Sequence, residues 1–343
     1  METRTDAKGY VAEEALRDYF RSLGYFVVRG IPYYFKGYDV TDVDLWLYLK
    51  VTTLTAERIC VDIKNKRIPK AMERVLWTKG LQEILRVDRA IMVTSDNRKE
   101  TLMFGTEHGV KVLQGEFLKR IIANFPPSTR LSEEDFCSIL KTPCVVDSKI
   151  EWRKWLLKGK AILLESLNFD GCNNFLVSIK LLLDEYLATS KSSEAPIRLL
   201  YIFMAYFLIC LDYTSRTFSQ FDTKGRATIL TNGFRYGEAE KQSTEEIVQM
   251  ALHLLSVAGE ADLLTYEALR REFDKQISEF GADILGEYFA KPDSIKNLFL
   301  LACSYEEQAY SSVVLRPHEL PSEQKATIGL ICDFFGLDRK RII

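Results

Sequence analysis

Thr41-Asp42-Val43-Asp44-Leu45-Trp46-Leu47 and Ile59-Cys60-Val61-Asp62-Ile63-Lys64-Asn65-Lys66 decide how the first third of this chain is read. Each stretch alternates apolar and polar residues, the pattern of a β-strand with one face on a core. Side chains leave a strand on opposite faces in turn. Asp62 and Lys64 therefore share one face, and Val61 and Ile63 the other. Asp42 and Asp44 add carboxylates on the preceding strand. Two carboxylates and an ammonium at one sheet edge suit a hard divalent cation and a water aimed at phosphate. Buried charges are costly unless paired or bound to metal. The alternative is an internal salt bridge of Lys64 with Asp62 or Asp44 that serves stability alone.

Around these strands, helical and strand patterns alternate over the first 125 residues. Residues 10–23 read as a helix stopped by Gly24. Residues 25–29 read as a strand broken by Pro32 and Gly37. The two acid-bearing strands run to about Leu49 and from Arg58. A helix over residues 70–85 follows Pro69. Residues 90–94 are a short apolar strand that reads as buried on both faces, and 110–113 a further strand, with helices over 98–108 and 116–123. The order α-β-β-β-α-β-α-β-α predicts a mixed sheet with helices packed on it, an α/β unit.

Pro126-Pro127-Ser128 marks the boundary, giving an α/β domain over 1–125 and an all-helical domain over 126–343. Helical patterns cover 132–141, 148–167, 174–187, 197–213, 244–257 and 264–280. Residues 225–237 (GRATILTNGFRYG) read as a loop. This half carries no motif that names its task, and partner binding, dimerisation and regulation are all open to it.

Composition narrows the class. With 343 residues, 47% hydrophobic and 27% charged, the chain has room for two cored domains and is not a disordered polymer. A net charge of −2 excludes a uniformly basic binder, so any nucleic-acid surface must be local. Seven cysteines at 60, 137, 144, 172, 210, 303 and 332 form no C-x-x-C pair and read as reduced thiols of a cytoplasmic protein. The polar start offers no signal peptide. The apolar run over 199–211 is shorter than the ~20 residues of a bilayer span and reads as a buried central helix, so no membrane role is expected.

The first helix adds a candidate. Ala12, Leu16, Tyr19, Phe20 and Leu23 share one face at 100° per residue, and Glu13 lies on its flank. Glu14 falls nearly opposite and is expected in solvent.

Lys8-Gly9-Tyr10-Val11-Ala12-Glu13, Leu23-Gly24-Tyr25-Phe26-Val27-Val28-Arg29, Asp44 and Val61-Asp62-Ile63-Lys64 together resemble the PD-(D/E)xK nuclease superfamily. Within it they look closest to archaeal-type Holliday-junction resolvases and Mrr-like restriction endonucleases. The likeness spans residues 8–125. It implies a restriction-endonuclease-like core in which Asp44 and Asp62 ligate Mg2+ or Mn2+, and in which Lys64 positions the attacking water and steadies the phosphate. Glu13 matches the family's helix glutamate and assists the metal site. Arg29 matches a basic position close to the cleft. The Ile63 carbonyl is a third candidate ligand. Glu13, Asp44, Asp62 and Lys64 would then be the catalytic residues. Val43 replaces the proline common before the first aspartate. Resolvases of this type are usually small and lack a helical half.

The flanking charge fits a polyanion. Residues 58–99 hold eleven basic and five acidic residues, a local excess of six positive charges. Lys66, Arg67, Lys70 and Arg74 follow the Asp62 strand and are candidate phosphate contacts, the alternative being a solvated helix face. Tyr33, Tyr34, Phe35 and Tyr38 read as an aromatic loop able to stack on bases or to pack on itself. Trp46 and Trp77 are expected in the core, and His108 in a structural turn. The leading expectation is a metal-dependent DNA endonuclease, with a defence or restriction system as its context by analogy. The helical half would engage a protein partner or a second copy. The alternatives are an RNA-cleaving enzyme of the same fold and a non-catalytic nucleic-acid-binding or scaffold subunit.

Overall fold

Five strands form one mixed sheet in the order β1-β2-β3-β4-β5. They are β1 (Phe26–Phe35), β2 (Tyr38–Lys50), β3 (Ala56–Lys64), β4 (Arg89–Thr94) and β5 (Val110–Leu113). The first three pair antiparallel, and β3, β4 and β5 run parallel. Helices α2 (Ala71–Leu85) and α3 (Lys99–Glu107) make the two parallel crossovers. The expected order of elements is the order found, with α1 (Arg4–Ser22) before the sheet and α4 (Gly115–Asn124) after it. The computed structural model describes residues 4–65, 70–124, 130–189, 193–239 and 281–343, with scattered positions from 246 to 275. The helical patterns read over 244–257 and 264–280 lie largely outside the described residues, as do Pro126-Pro127-Ser128.

Alternation in β3 partitions its side chains as read from the sequence. Val61 and Ile63 join a core with Leu45, Leu47 and Val27, closed by Ala12, Leu16 and Phe20 of α1 and Leu118 and Ile121 of α4. Asp62 faces the other way, towards α2.

The chain divides into two compact units, Met1–Glu165 with Glu306–Val314, and Ser166–Tyr305 with Leu315–Ile343. The first unit thus takes in α5 (Glu133–Ile139) and α6 (Trp152–Glu165) in addition to the sheet. Helix α6 covers the outer edge of β1: Lys160 Nζ donates to the Arg29 carbonyl at 2.6 Å, and the Tyr34 N–H donates to Glu165. An open strand edge is a template for unwanted pairing, and this cover removes it.

The aromatic stretch expected as a loop is strand. Pro32 sits inside β1 opposite Asp42, Phe35 pairs with Tyr38, and only Lys36 and Gly37 form the turn. Both turn residues have positive φ, 49° and 84°, as a type I′ hairpin requires. Pro32 is tolerated because β1 is an edge strand whose N–H groups are not all needed for the ladder.

In the second unit, α8 (Glu194–Ser215) is buried along almost its whole length and packs beside α7 (Phe169–Ala188). By length and composition it could cross a membrane, but 94% of its apolar window is buried inside the protein. The loop expected over 225–237 is instead helix α9 (Thr223–Tyr236). Two glycines and several β-branched residues lower its intrinsic propensity. Capping and packing override that: Asp222 accepts the Gly225 N–H at 2.7 Å, and Leu230 and Phe234, one turn apart, are buried. Helix α10 (Ala282–Phe289) lies against it so closely that a Cβ at Gly286 would fall 2.1 Å from Thr231 Oγ1 and 3.0 Å from its backbone N. The unit also contains α11 (Pro292–Tyr310), whose last turn belongs to the first unit, and α12 (Ser322–Phe334). All seven cysteines are free thiols.

Candidate active site

The ladder between β2 and β3 is last paired at Leu45 and Val61. Beyond that point the Asp44 side chain takes over from the backbone, its Oδ2 accepting the Ile63 N–H at 2.6 Å. Asp44 lies on the Asp62 face by alternation, and the two carboxylates act on each other electrostatically. Burial pushes the Asp44 carboxyl up to about 7, the charge of Asp62 adds to the rise, and the Ile63 N–H opposes it. Lys64 ends β3 on the same face, and its charge favours the ionised form of Asp44. Its backbone is fixed by pairing with Thr94 and by the Ser95 N–H, which donates to the Lys64 carbonyl at 3.3 Å. Asp44, Asp62 and Lys64 are therefore together.

Glu13 does not complete a metal-holding trio with Asp44 and Asp62, although its charge acts on Asp44 more strongly than that of Lys64 does. It belongs to α1, which packs on the Val61–Ile63 face. Arg29 Nε donates to Glu13 Oε2 at 2.7 Å and turns it towards β1. Burial raises the Glu13 carboxyl, with Arg29 working against the rise. Its charge still reaches Asp44, raising that carboxyl further. Among the described residues, no three His, Cys, Asp or Glu side chains come together as a metal-holding group.

Arg29 differs most from its expected role. It is buried, and its guanidinium bonds Glu14 at 2.6 Å and Glu134 at 2.8 Å as well as Glu13. Its donors face carboxylates inside the unit rather than a phosphate. Glu14, expected in solvent, is half-buried because it bonds Arg17 and Arg29 and also accepts the Glu133 N–H at 3.1 Å. The wider network includes Arg17 and Arg130 on Glu306, and Lys160 and Tyr310 on Glu133. Its partners lie up to 289 positions apart, so no local signal in the sequence exposes them.

Arg74 sits on Asp62. Its Nε donates to Oδ2 at 3.0 Å and its Nη2 to Oδ1. Asp62 thus pairs with Arg74 rather than with Lys64. Lys70 is exposed and paired with Glu73 at 3.0 Å. Lys66 and Arg67 lie outside the described residues. Trp46 is in the core as expected, whereas Trp77 is 46% exposed beside Arg74. Helix α2 buries Ala71, Val75, Thr78, Leu81 and Leu85, and that periodicity leaves Trp77 outside. His108 closes α3, its ring 4.4 Å from that of Phe104.

Comparison with family models, with curated proteins and with solved structures gives no match.

The chemistry therefore rests on the residues themselves. Mg2+ is commonly held by one or two carboxylates, with waters completing its octahedron. Asp44 and Asp62 supply two hard oxygen donors. Burial and the charge of Asp62 raise the Asp44 carboxyl, and a divalent cation held by the two carboxylates would oppose that rise. Two carboxylates with the Ile63 carbonyl beside them fit such an ion; a third carboxylate from Glu13 does not join them.

Proposed function

We propose that the chain is a metal-dependent nuclease of the PD-(D/E)xK type, with a restriction-endonuclease-like core that hydrolyses phosphodiester bonds in DNA. The observation that carries this reading is the meeting of Asp44 and Asp62 where β2 parts from β3, with Lys64 two residues beyond Asp62 on the same face. Asp44, Asp62 and the Ile63 carbonyl would hold Mg2+ or Mn2+. When bound, such an ion supplies charge neutralisation at the non-bridging oxygens and a water of lowered pKa. The protein's own residues do the rest. Asp44, fixed by the Ile63 N–H, keeps its orientation without a change of backbone. The Lys64 ammonium orients the attacking water and stabilises the charge that gathers on the phosphorane-like transition state. Glu13, held by Arg29, acts through its field on Asp44 and is a positioning residue.

A non-catalytic nucleic-acid-binding subunit is the second reading. It is favoured by the absence, among the described residues, of a three-ligand metal group. One experiment separates the two. Plasmid DNA, single-stranded DNA and RNA are incubated with the full chain in Mg2+ or Mn2+ and again in EDTA, beside Asp62→Ala and Lys64→Ala. Metal-dependent cleavage of DNA, lost in both variants, is the expected result. Cleavage confined to RNA would replace the substrate. Nucleic-acid binding without cleavage by the folded chain would leave the second reading.

A further inference from the structure

Both oxygens of Asp62 are engaged by a single guanidinium. The carboxylate is buried, and the Arg74 side chain is 22% exposed at the rim above it. A forked arginine–carboxylate contact takes one lone pair on each oxygen and so competes with a hard cation for the carboxylate. A guanidinium and a divalent ion on one carboxylate also repel each other. The same fork matches phosphate as well as it matches carboxylate. The backbone of Arg74 stays put, because its N–H donates to the Lys70 carbonyl at 3.0 Å and its carbonyl accepts Thr78 Oγ1 at 2.7 Å. Only the side chain has to move, and the exposed Trp77 ring, 5.3 Å from Arg74 Cζ, gives it an outer surface to rest on.

Resting on the nuclease reading above, we infer that Arg74 is an exchangeable counter-ion. It closes Asp62 while no nucleic acid is bound and transfers to a backbone phosphate when one arrives, so that divalent cation and nucleic acid bind with positive coupling. The protein alone is then a weak metal binder. The substrate draws Arg74 away and completes the metal site. Linkage makes the effect reciprocal: the cation tightens nucleic-acid binding by the same factor.

The test is Mn2+ binding to the full-length protein without nucleic acid, read by the electron paramagnetic resonance of free Mn2+. Wild type is compared with Arg74→Gln, Arg74→Lys and Asp62→Asn, each checked for folding by near-ultraviolet circular dichroism. Arg74→Gln is expected to bind Mn2+ about tenfold more tightly than wild type, within the usual range of coupling between sites. Arg74→Lys, which keeps the charge and loses the fork, should fall between them and serves in its place if the glutamine variant does not fold. Asp62→Asn should abolish binding. A second arm follows a fluorescent 20-base-pair duplex by anisotropy, with Ca2+ as the cation. Ca2+ should tighten duplex binding about tenfold for wild type and by less than about twofold for Arg74→Gln. Equal Mn2+ affinity in wild type and both Arg74 variants, still lost in Asp62→Asn, would overturn the exchange and leave the metal site standing. Absence of binding in every protein would overturn the metal reading itself, and the exchange with it.

Discussion

Asp44 Oδ2 accepts the Ile63 N–H at 2.6 Å, just beyond Leu45 and Val61, the last paired residues of their strands. A backbone donor that the ladder abandons is thereby satisfied by a carboxyl whose ionisation is unfavourable there. Burial and the charge of Asp62 push that carboxyl up to about 7 from the ordinary 3.8. A raised folded-state value means that the folded chain holds the proton more tightly than the unfolded one. Its contribution to stability is complete below about pH 3.8 and is lost as the pH rises through about 7.

Replacing Asp44 by Asn keeps an oxygen for the Ile63 N–H and removes the charge. At pH 7.5 the variant should be more stable than wild type by about 1–3 kcal/mol. The gain should disappear near pH 4, where both side chains are neutral. Urea denaturation at the two pH values measures this, and a variant less stable at pH 7.5 would refute it. Under the proposed function the same protein should not cleave.

Glu306 obeys the opposite sign. Burial alone would raise its carboxyl, but Arg130, Arg17 and Arg21 outweigh that and hold it at about 2. Its stabilisation is fully present above about pH 4.5 and is lost as the pH falls towards 2. Glu306→Gln leaves buried Arg17 short of its partner and should cost about 3–5 kcal/mol at pH 7. The difference from wild type should shrink at pH 3. A constant difference across that interval, measured by denaturant unfolding, would show that packing rather than charge holds the segment.

Gly286 tests the packing of α9 on α10. A methyl group there meets Thr231 Oγ1, the Thr231 backbone N and, at 3.1 Å, the Ala227 carbonyl. Backbone atoms cannot rotate away as a side chain can, so Gly286→Ala should destabilise the second unit by about 1–3 kcal/mol. Clearing the side-chain contact with Thr231→Ala should not restore full stability, because the backbone contacts remain. Thermal unfolding of the single and double variants reads this directly.

The hairpin tip separates folding from binding. Phe35 and Tyr38 are exposed on either side of the Lys36-Gly37 turn. Phe35→Ala with Tyr38→Ala should change stability by no more than about 0.5 kcal/mol. If the aromatic rings stack on bases, the pair should weaken nucleic-acid binding by about 1–3 kcal/mol per base lost. Unchanged affinity in an anisotropy titration would assign the tip another role.

The sheet was legible because period-two alternation in β2 and β3 survives around the charged residues, and because the short apolar run 90–94 reads as a strand buried on both faces. Asp44, Asp62 and Lys64 could be placed on one face by that counting alone. Local signals failed where tertiary contacts overrule them. Pro32 and Gly37 read as breaks, yet they suit an edge strand and a type I′ turn. The glycines of 225–237 hid a helix secured by a cap and by buried Leu230 and Phe234. The environments of Glu13, Glu14 and Arg29 were beyond reach for a different reason. Their partners include Glu133 and Glu134, brought in from more than a hundred positions away.

The return of Glu306–Val314 to the first unit has a consequence for the order of synthesis. A ribosome that has made the sheet, and even α6, has produced a unit whose Arg17 and Arg130 still lack Glu306. The bridge of Arg130 to Ser311 and the Tyr310 hydroxyl on Glu133 are missing as well. Those contacts form only after residue 306 has emerged, well beyond the sheet and α6. The first unit therefore finishes folding late, after residues 166–305 of the second unit have been made. Truncated products of interrupted translation, however intact their Asp44 and Asp62, lack the anchor that completes the unit.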